Sequence, residues 1–180
     1  MSVLGLVALV FGVLGVIFTI KQHVICWLFA CIGALASIIE FYHERLFGDM
    51  SLQIFYFFAG IYGWIYWQRR AKTAFIILRL PHQQVPLLLF GTILQSFLYY
   101  LILKEFNGDQ IVFDAILTAC SLTATFMMTK KWLENWAVWV IVDAAYVLLY
   151  CHKYMWLFAI LYFCFAVIAY WGWLKWKKTV

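Results

Sequence analysis

Residues 3–20 read VLGLVALVFGVLGVIFTI, a run with no charged, amide or imidazole side chain and with Thr19 as its one hydroxyl. As a helix rising about 1.5 Å per residue it reaches about 27 Å, close to the roughly 30 Å of bilayer hydrocarbon. Six further apolar runs follow, at Val24–Tyr42, Phe47–Trp67, Val85–Leu103, Ile111–Thr129, Leu133–Cys151 and Tyr154–Leu174. At such lengths only helices keep every backbone N–H paired within lipid, because spanning strands are nearer ten alternating residues. Apolar residues make up 67% of the chain and charged residues 12%, with a mean hydropathy of +0.93. A soluble domain is about 45–50% apolar and about 25% charged, so a water-soluble core could not hide this surface. The predicted fold class is an all-α integral membrane protein of seven transmembrane helices, a single transmembrane domain over residues 1–180.

The formal net charge of +5 does not point to nucleic acid, because the basic residues stand in ones to threes between apolar runs instead of forming one solvated face. They obey a topology rule instead. One side of the membrane collects Lys21, Arg69, Arg70, Lys72, Arg79, Lys130, Lys131, Lys175, Lys177 and Lys178, and the other only Arg45, Lys104 and Lys153. The positive-inside bias therefore sets the C-terminus in the cytoplasm and the N-terminus outside, as an odd number of spans requires. The first run lacks a basic leader and a small-residue cleavage site, so it reads as a retained span. Cys26, Cys31, Cys120, Cys151 and Cys164 lie mostly inside apolar runs, with no CxxC and no His at ligand spacing. Neither a zinc site nor a disulfide framework is indicated, and no metal or cofactor is expected.

The chain also repeats itself at an offset of 109 residues, which sets residues 3–67 against 112–176. Lys21 then meets Lys130, His43 meets His152, and Trp27, Trp64 and Trp67 meet Trp136, Trp173 and Trp176. Gly63 meets Gly172. The predicted plan is a first three-helix repeat over 3–67, a linking helix over 85–103 and a second repeat over 111–176, a 3+1+3 order in which the odd linker keeps the repeats parallel. Repeats of this kind carry a substrate site near the midplane at their interface.

Ionisable groups inside hydrocarbon are functional candidates by default. The sixth run carries the best set, with Asn135, Trp136, Trp139 and Asp143 at i, i+1, i+4 and i+8, a single helical stripe continued by Tyr146 and Tyr150. Counted from Leu133 at about 1.5 Å per residue, Asp143 lies roughly 15 Å deep, near the bilayer centre. An indole face and a carboxylate sharing one stripe suit a flat cationic ring. Gln53 meets Tyr162 across the repeat, and each could hydrogen-bond a ligand hydroxyl or amide. Glu40 and His43, one turn apart at the outer end of the second run, read as a possible gate or as a local ion pair with Arg45. Asp114 reads as interfacial, and Gly63 and Gly172 as close-packing positions. A haem-based electron carrier would need facing axial histidines inside the membrane, whereas His43 and His152 fall at the outer surface. No HExxH or nucleophile–base set supports an intramembrane hydrolase, so no catalytic residue is assigned.

The residues Trp27-Leu28, the segment 47–56 (FGDMSLQIFY), Tyr62-Gly63-Trp64-Ile65-Tyr66-Trp67, Asn135-Trp136-Ala137-Val138-Trp139 through Asp143, Leu161-Tyr162 and Gly172-Trp173 together resemble the PnuC family of vitamin-precursor transporters, in order and over nearly the whole chain. The resemblance implies a SWEET-like seven-helix fold in a bacterial inner membrane and uptake of nicotinamide riboside by facilitated diffusion, with a cytosolic kinase phosphorylating and trapping the substrate. Relatives carrying thiamine or riboflavin are the alternative. It further implies that Trp136 and Trp139 hold the nicotinamide ring, with Gln53 and Asn135 near its polar groups. The expected partners are that small molecule, membrane lipid and further copies of the chain as a homo-oligomer, a trimer.

Overall fold

The computed structural model describes residues 2–43, 47–70, 76–105, 110–152 and 154–180. Seven α-helices form among them: α1 (Val3–Ile20), α2 (Ile25–His43), α3 (Phe47–Arg70), α4 (Val85–Lys104), α5 (Ile111–Thr129), α6 (Asn135–His152) and α7 (Trp156–Lys177), with one 3-10 turn at His82–Gln84 ahead of α4. Six of the seven are long and apolar enough to cross a membrane; α3 is the exception. It has the length, 24 residues, but Gln53, Tyr56, Tyr62, Trp64, Tyr66, Trp67 and Gln68 lower its hydropathy.

The chain divides into two compact units, Met1–Ile76 and Ile77–Val180. In the first, α2 packs against both α1 and α3. Apolar attraction does not drive helices together in lipid, so close approach of small residues does that work. A Cβ added at Gly33 would lie 3.3 Å from the Ala8 carbonyl oxygen, and one at Gly15 3.5 Å from that of Cys26. In the second unit α6 packs against α5 and α7, and α5 buries Ala115, Ala119 and Ala124. The hydroxyls of Ser121 and Thr125 turn back to carbonyls one turn earlier in α5, at 2.9 Å each, which satisfies them inside their own helix. The expected linking helix, α4, packs on α5, where the Thr92 and Thr123 hydroxyls meet at 2.7 Å.

Helix ends are made by a device the composition hides. Gln22, Lys131 and Tyr154 have positive φ, at 57°, 54° and 56°. In the first case Gln22 N–H donates to the Thr19 carbonyl (2.8 Å) and His23 N–H to that of Phe18 (3.0 Å). In the second, Lys131 N–H donates to Met128 (3.0 Å) and Trp132 N–H to Met127 (3.1 Å). Both are the two-bond Schellman closure of a helix. Tyr154 and Met155 close α6 in the same way on Cys151 and Tyr150. Two expected boundaries shift as a result: α7 begins at Trp156 because Tyr154 is spent on the turn, and α6 begins at Asn135, not Leu133.

Gln22 and Lys131 stand 109 residues apart, and the same offset relates the helices. Shifted by it, α1, α2 and α3 become 112–129, 134–152 and 156–179, against the observed Ile111–Thr129, Asn135–His152 and Trp156–Lys177. After Lys131, residues 78 and 132 form a parallel bridge: Leu78 N–H donates to the Lys131 carbonyl (3.0 Å), and Leu133 N–H to that of Leu78 (2.8 Å). Glu134 Oε2 accepts from Leu80 N–H at 2.7 Å. The segment ahead of α4 is thus stitched to the turn that opens α6.

A left-handed conformation costs a side-chain-bearing residue about 1–2 kcal/mol and glycine almost nothing. Gln22→Gly is therefore expected to raise stability by about 0.5–1 kcal/mol, and Gln22→Val to lower it, in thermal melts of the detergent-solubilised protein. Equal effects of the two substitutions would rule out backbone strain as the cause.

Candidate functional site

The α5–α6 turn delivers Asn135 as the first residue of α6. Its backbone N–H donates to the Trp132 carbonyl at 3.1 Å, and its side-chain Nδ2 donates to the same oxygen at 2.6 Å. The amide is fully buried, and Oδ1 is left without a hydrogen-bond partner. One turn on, Trp139 is half-buried with its indole N–H also unpaired. One further turn on, Asp143 is 5% exposed, and among the described residues no hydrogen bond or ion pair reaches its carboxylate. From the observed start of α6 it lies roughly 12 Å along the helix, still deep in a span. An acceptor, a donor and a carboxylate thus follow one another at i, i+4 and i+8 with no protein group answering them. Buried polar groups are normally paired, which makes this row the candidate site.

Trp136 differs from the other members of the stripe. It is completely buried, its ring lies on Gly172, and it meets the Trp176 ring edge-to-face at 5.3 Å. Beyond Asp143 the stripe becomes an aromatic stack: Tyr146 and Tyr162 come together at 4.6 Å between ring centroids, Tyr150 lies 5.3 Å from Tyr162, and Tyr150 stacks on Phe158 at 5.3 Å. Gln53 lies half-buried in α3, in the first unit.

Glu40 is engaged at the start of α1. Its carboxylate accepts from the Ser2 hydroxyl, which itself accepts from Gly5 N–H at 2.8 Å to cap α1; an acid is favoured beside a helix N-terminus. His43 is exposed with its ring 6.1 Å from that of Tyr42. Arg45, the third member of the expected ion pair, lies outside the described residues. Two unpaired atoms add to residues the sequence had singled out for other reasons: the Trp27 indole N–H, buried without an acceptor like that of Trp136, and Oε1 of Gln95 in α4, which the sequence reads as a structural amide of the linking helix. The recurrence of Trp27 at the 109-residue offset was the available signal for the first. All five cysteines are free thiols, and no metal-binding group of His, Cys, Asp or Glu forms among the described residues. An apolar groove of about 320 Å³ between α2 and α3, lined by Leu28, Cys31, Phe57 and Trp64 among others, contains none of the predicted site residues.

Comparison with known proteins adds an independent finding. The family model described as nicotinamide mononucleotide transporter matches residues 2–178. The nicotinamide riboside transporter PnuC of Escherichia coli (strain K12) is 24% identical over 181 residues, spanning 85% of this chain and 76% of its own length. The protein of the same name from Neisseria mucosa is 24% identical over 194 residues, spanning 98% and 74%. A crystal structure of the vitamin B3 transporter PnuC superposes with a TM-score of 0.74 at 23% identity, covering 98% of this chain and 83% of that one. The fold is therefore that of a known transporter.

An unpaired buried carboxylate is a standing cost. Asp143→Leu is expected to raise the thermal stability of the substrate-free protein, by about 1–3 kcal/mol, while activity falls. A loss of stability would show that the carboxylate has a partner.

Proposed function

This chain belongs to the nicotinamide mononucleotide transporter family, and from that premise we propose that it carries nicotinamide riboside across a bacterial inner membrane by facilitated diffusion. The observation that carries the reading is the unanswered row on α6: Asn135 Oδ1, the Trp139 N–H and the Asp143 carboxylate, buried and without partners among the described residues. Nicotinamide riboside is a flat pyridinium cation bearing a carboxamide and a hydroxylated sugar. Trp139 stacks on the ring and attracts its charge through the indole quadrupole, Asp143 supplies the counter-charge, and Asn135 takes the amide or a hydroxyl group. Tyr146 and Tyr162 complete the aromatic wall on the outer side of Asp143.

In this reading all seven helices span the bilayer, α3 included, in a SWEET-like 3+1+3 plan with the N-terminus outside and the basic C-terminal end in the cytoplasm. Alternating access arises from rocking of the two three-helix repeats. No ion gradient is required: a ligand bound equally well from either face equilibrates, and a cytosolic kinase draws it inward by removing free substrate. Thiamine is also a flat cation and fits the same row of groups, which makes it the second reading. Riboflavin is uncharged and gains no charge pairing from Asp143.

Purified protein in liposomes is expected to exchange labelled nicotinamide riboside by counterflow with neither ATP nor an ion gradient; failure in a well-folded preparation would sink the reading. A desolvated cation–π or charge contact is worth up to about 2 kcal/mol, so Trp139→Ala and Asp143→Asn should each weaken affinity by roughly ten- to thirtyfold. Trp67→Ala should weaken it less. Competition among nicotinamide riboside, thiamine and riboflavin in one binding assay ranks the substrates.

A further inference from the structure

The two tryptophans of the Trp136-x-x-Trp139 pair are in different physical situations. Trp136 has no exposed surface. A Cβ built on Gly172 would come within 2.8 Å of its Cδ2, Cε2 and Cε3, so the indole rests on the bare backbone of α7. Trp176, one turn further along α7, meets it at an interplanar angle of 89°. No face of this ring is open to a planar ligand.

The first unit contains the same construction. Trp27 of α2 rests on Gly63 of α3, where a Cβ would come within 2.5 Å of its Cε2. It meets Trp67 at 5.5 Å and 89°, and Trp27 and Trp67 are each 3% exposed. Even the unpaired indole N–H recurs, in Trp27 as in Trp136. The ligand-type residues do not recur with it. The positions that match Asn135, Trp139 and Asp143 at the 109-residue offset are Cys26, Ala30 and Ala34. An indole–glycine–indole clasp is therefore kept where none of those three ligand-type residues accompanies it, and its role is separable from their contact with a ligand.

Trp139 is the opposite case. It is half-buried, and among the described residues it makes no aromatic or cation–π contact, which leaves its ring available. We infer that the pair divides its labour: Trp139 is the residue that stacks on the substrate ring, and Trp136 is a positioning residue that clasps α6 to α7, so fixing the rotation of α6 that aims Trp139 and Asp143. Trp27, Gly63 and Trp67 form the equivalent clasp of the first unit. The inference deepens the transport reading and rests on it for the identity of the ligand, a planar aromatic cation.

A pyridinium stacked face-to-face on an indole gives a charge-transfer absorption band, and contact without stacking does not. With nicotinamide riboside as the probe, the band is expected for the native protein and for Trp136→Phe, and is expected to be lost in Trp139→Phe together with roughly tenfold in affinity. Loss of the band in Trp136→Phe with retention in Trp139→Phe would overturn the division. The clasp is tested separately, in substrate-free thermal melts. Gly172→Ala and Gly63→Ala should each lower the melting temperature by several degrees, and Trp136→Leu and Trp27→Leu should restore much of the loss in the matching double variants. Tolerance of both alanines would overturn the clasp. If even the native protein shows no band and no binding, it is the substrate reading that fails, and the melts still decide the clasp.

Discussion

In hydrocarbon the helices gain nothing by leaving lipid for one another, since lipid tails are as apolar as the side chains they would replace. What holds helices together there is close fit, and in each unit of this protein an indole ring lies directly on a glycine. Trp27 on Gly63 joins α2 to α3, and Trp136 on Gly172 joins α6 to α7. A second tryptophan abuts each ring at a right angle. Helix placement in each unit follows from that contact, and with it the direction in which the stripe on α6 points.

The apolar helices were legible because their signal is long and needs no partner: the 18-residue run at Val3–Ile20 can be read without knowing what lies beside it. Helix ends were less legible. Gln22, Lys131 and Tyr154 adopt a backbone that glycine usually supplies, and nothing in their side chains announces it. The third helix shows a different limit. Its tyrosines and tryptophans score as weakly polar, although such rings suit a membrane interface.

For the site, the sequence indicated which residues share a stripe but not which of them are already engaged. Periodicity groups Trp136 with Trp139, yet only packing reveals that the first ring is enclosed and the second is not. Likewise the sequence grouped Glu40 with its neighbours His43 and Arg45, and could not show that its carboxylate takes the Ser2 hydroxyl from across the unit. Asp143 was legible for the opposite reason. A carboxylate in the middle of an apolar run is conspicuous, and no described residue neutralises it.

That each unit closes its own clasp bears on how the chain is made. Every residue of the Trp27, Gly63 and Trp67 set lies within Met1–Ile76, so the first three helices need nothing from the later sequence to complete their tightest contact. Synthesis at about 5–20 residues per second leaves roughly 5–20 s between the emergence of Ile76 and that of the last residue. That interval is long compared with the docking of neighbouring helices, which runs from milliseconds upward. The first unit can be packed in the membrane before the second has left the ribosome, and a substitution at Gly63 would then act earlier in the life of the molecule than its counterpart at Gly172.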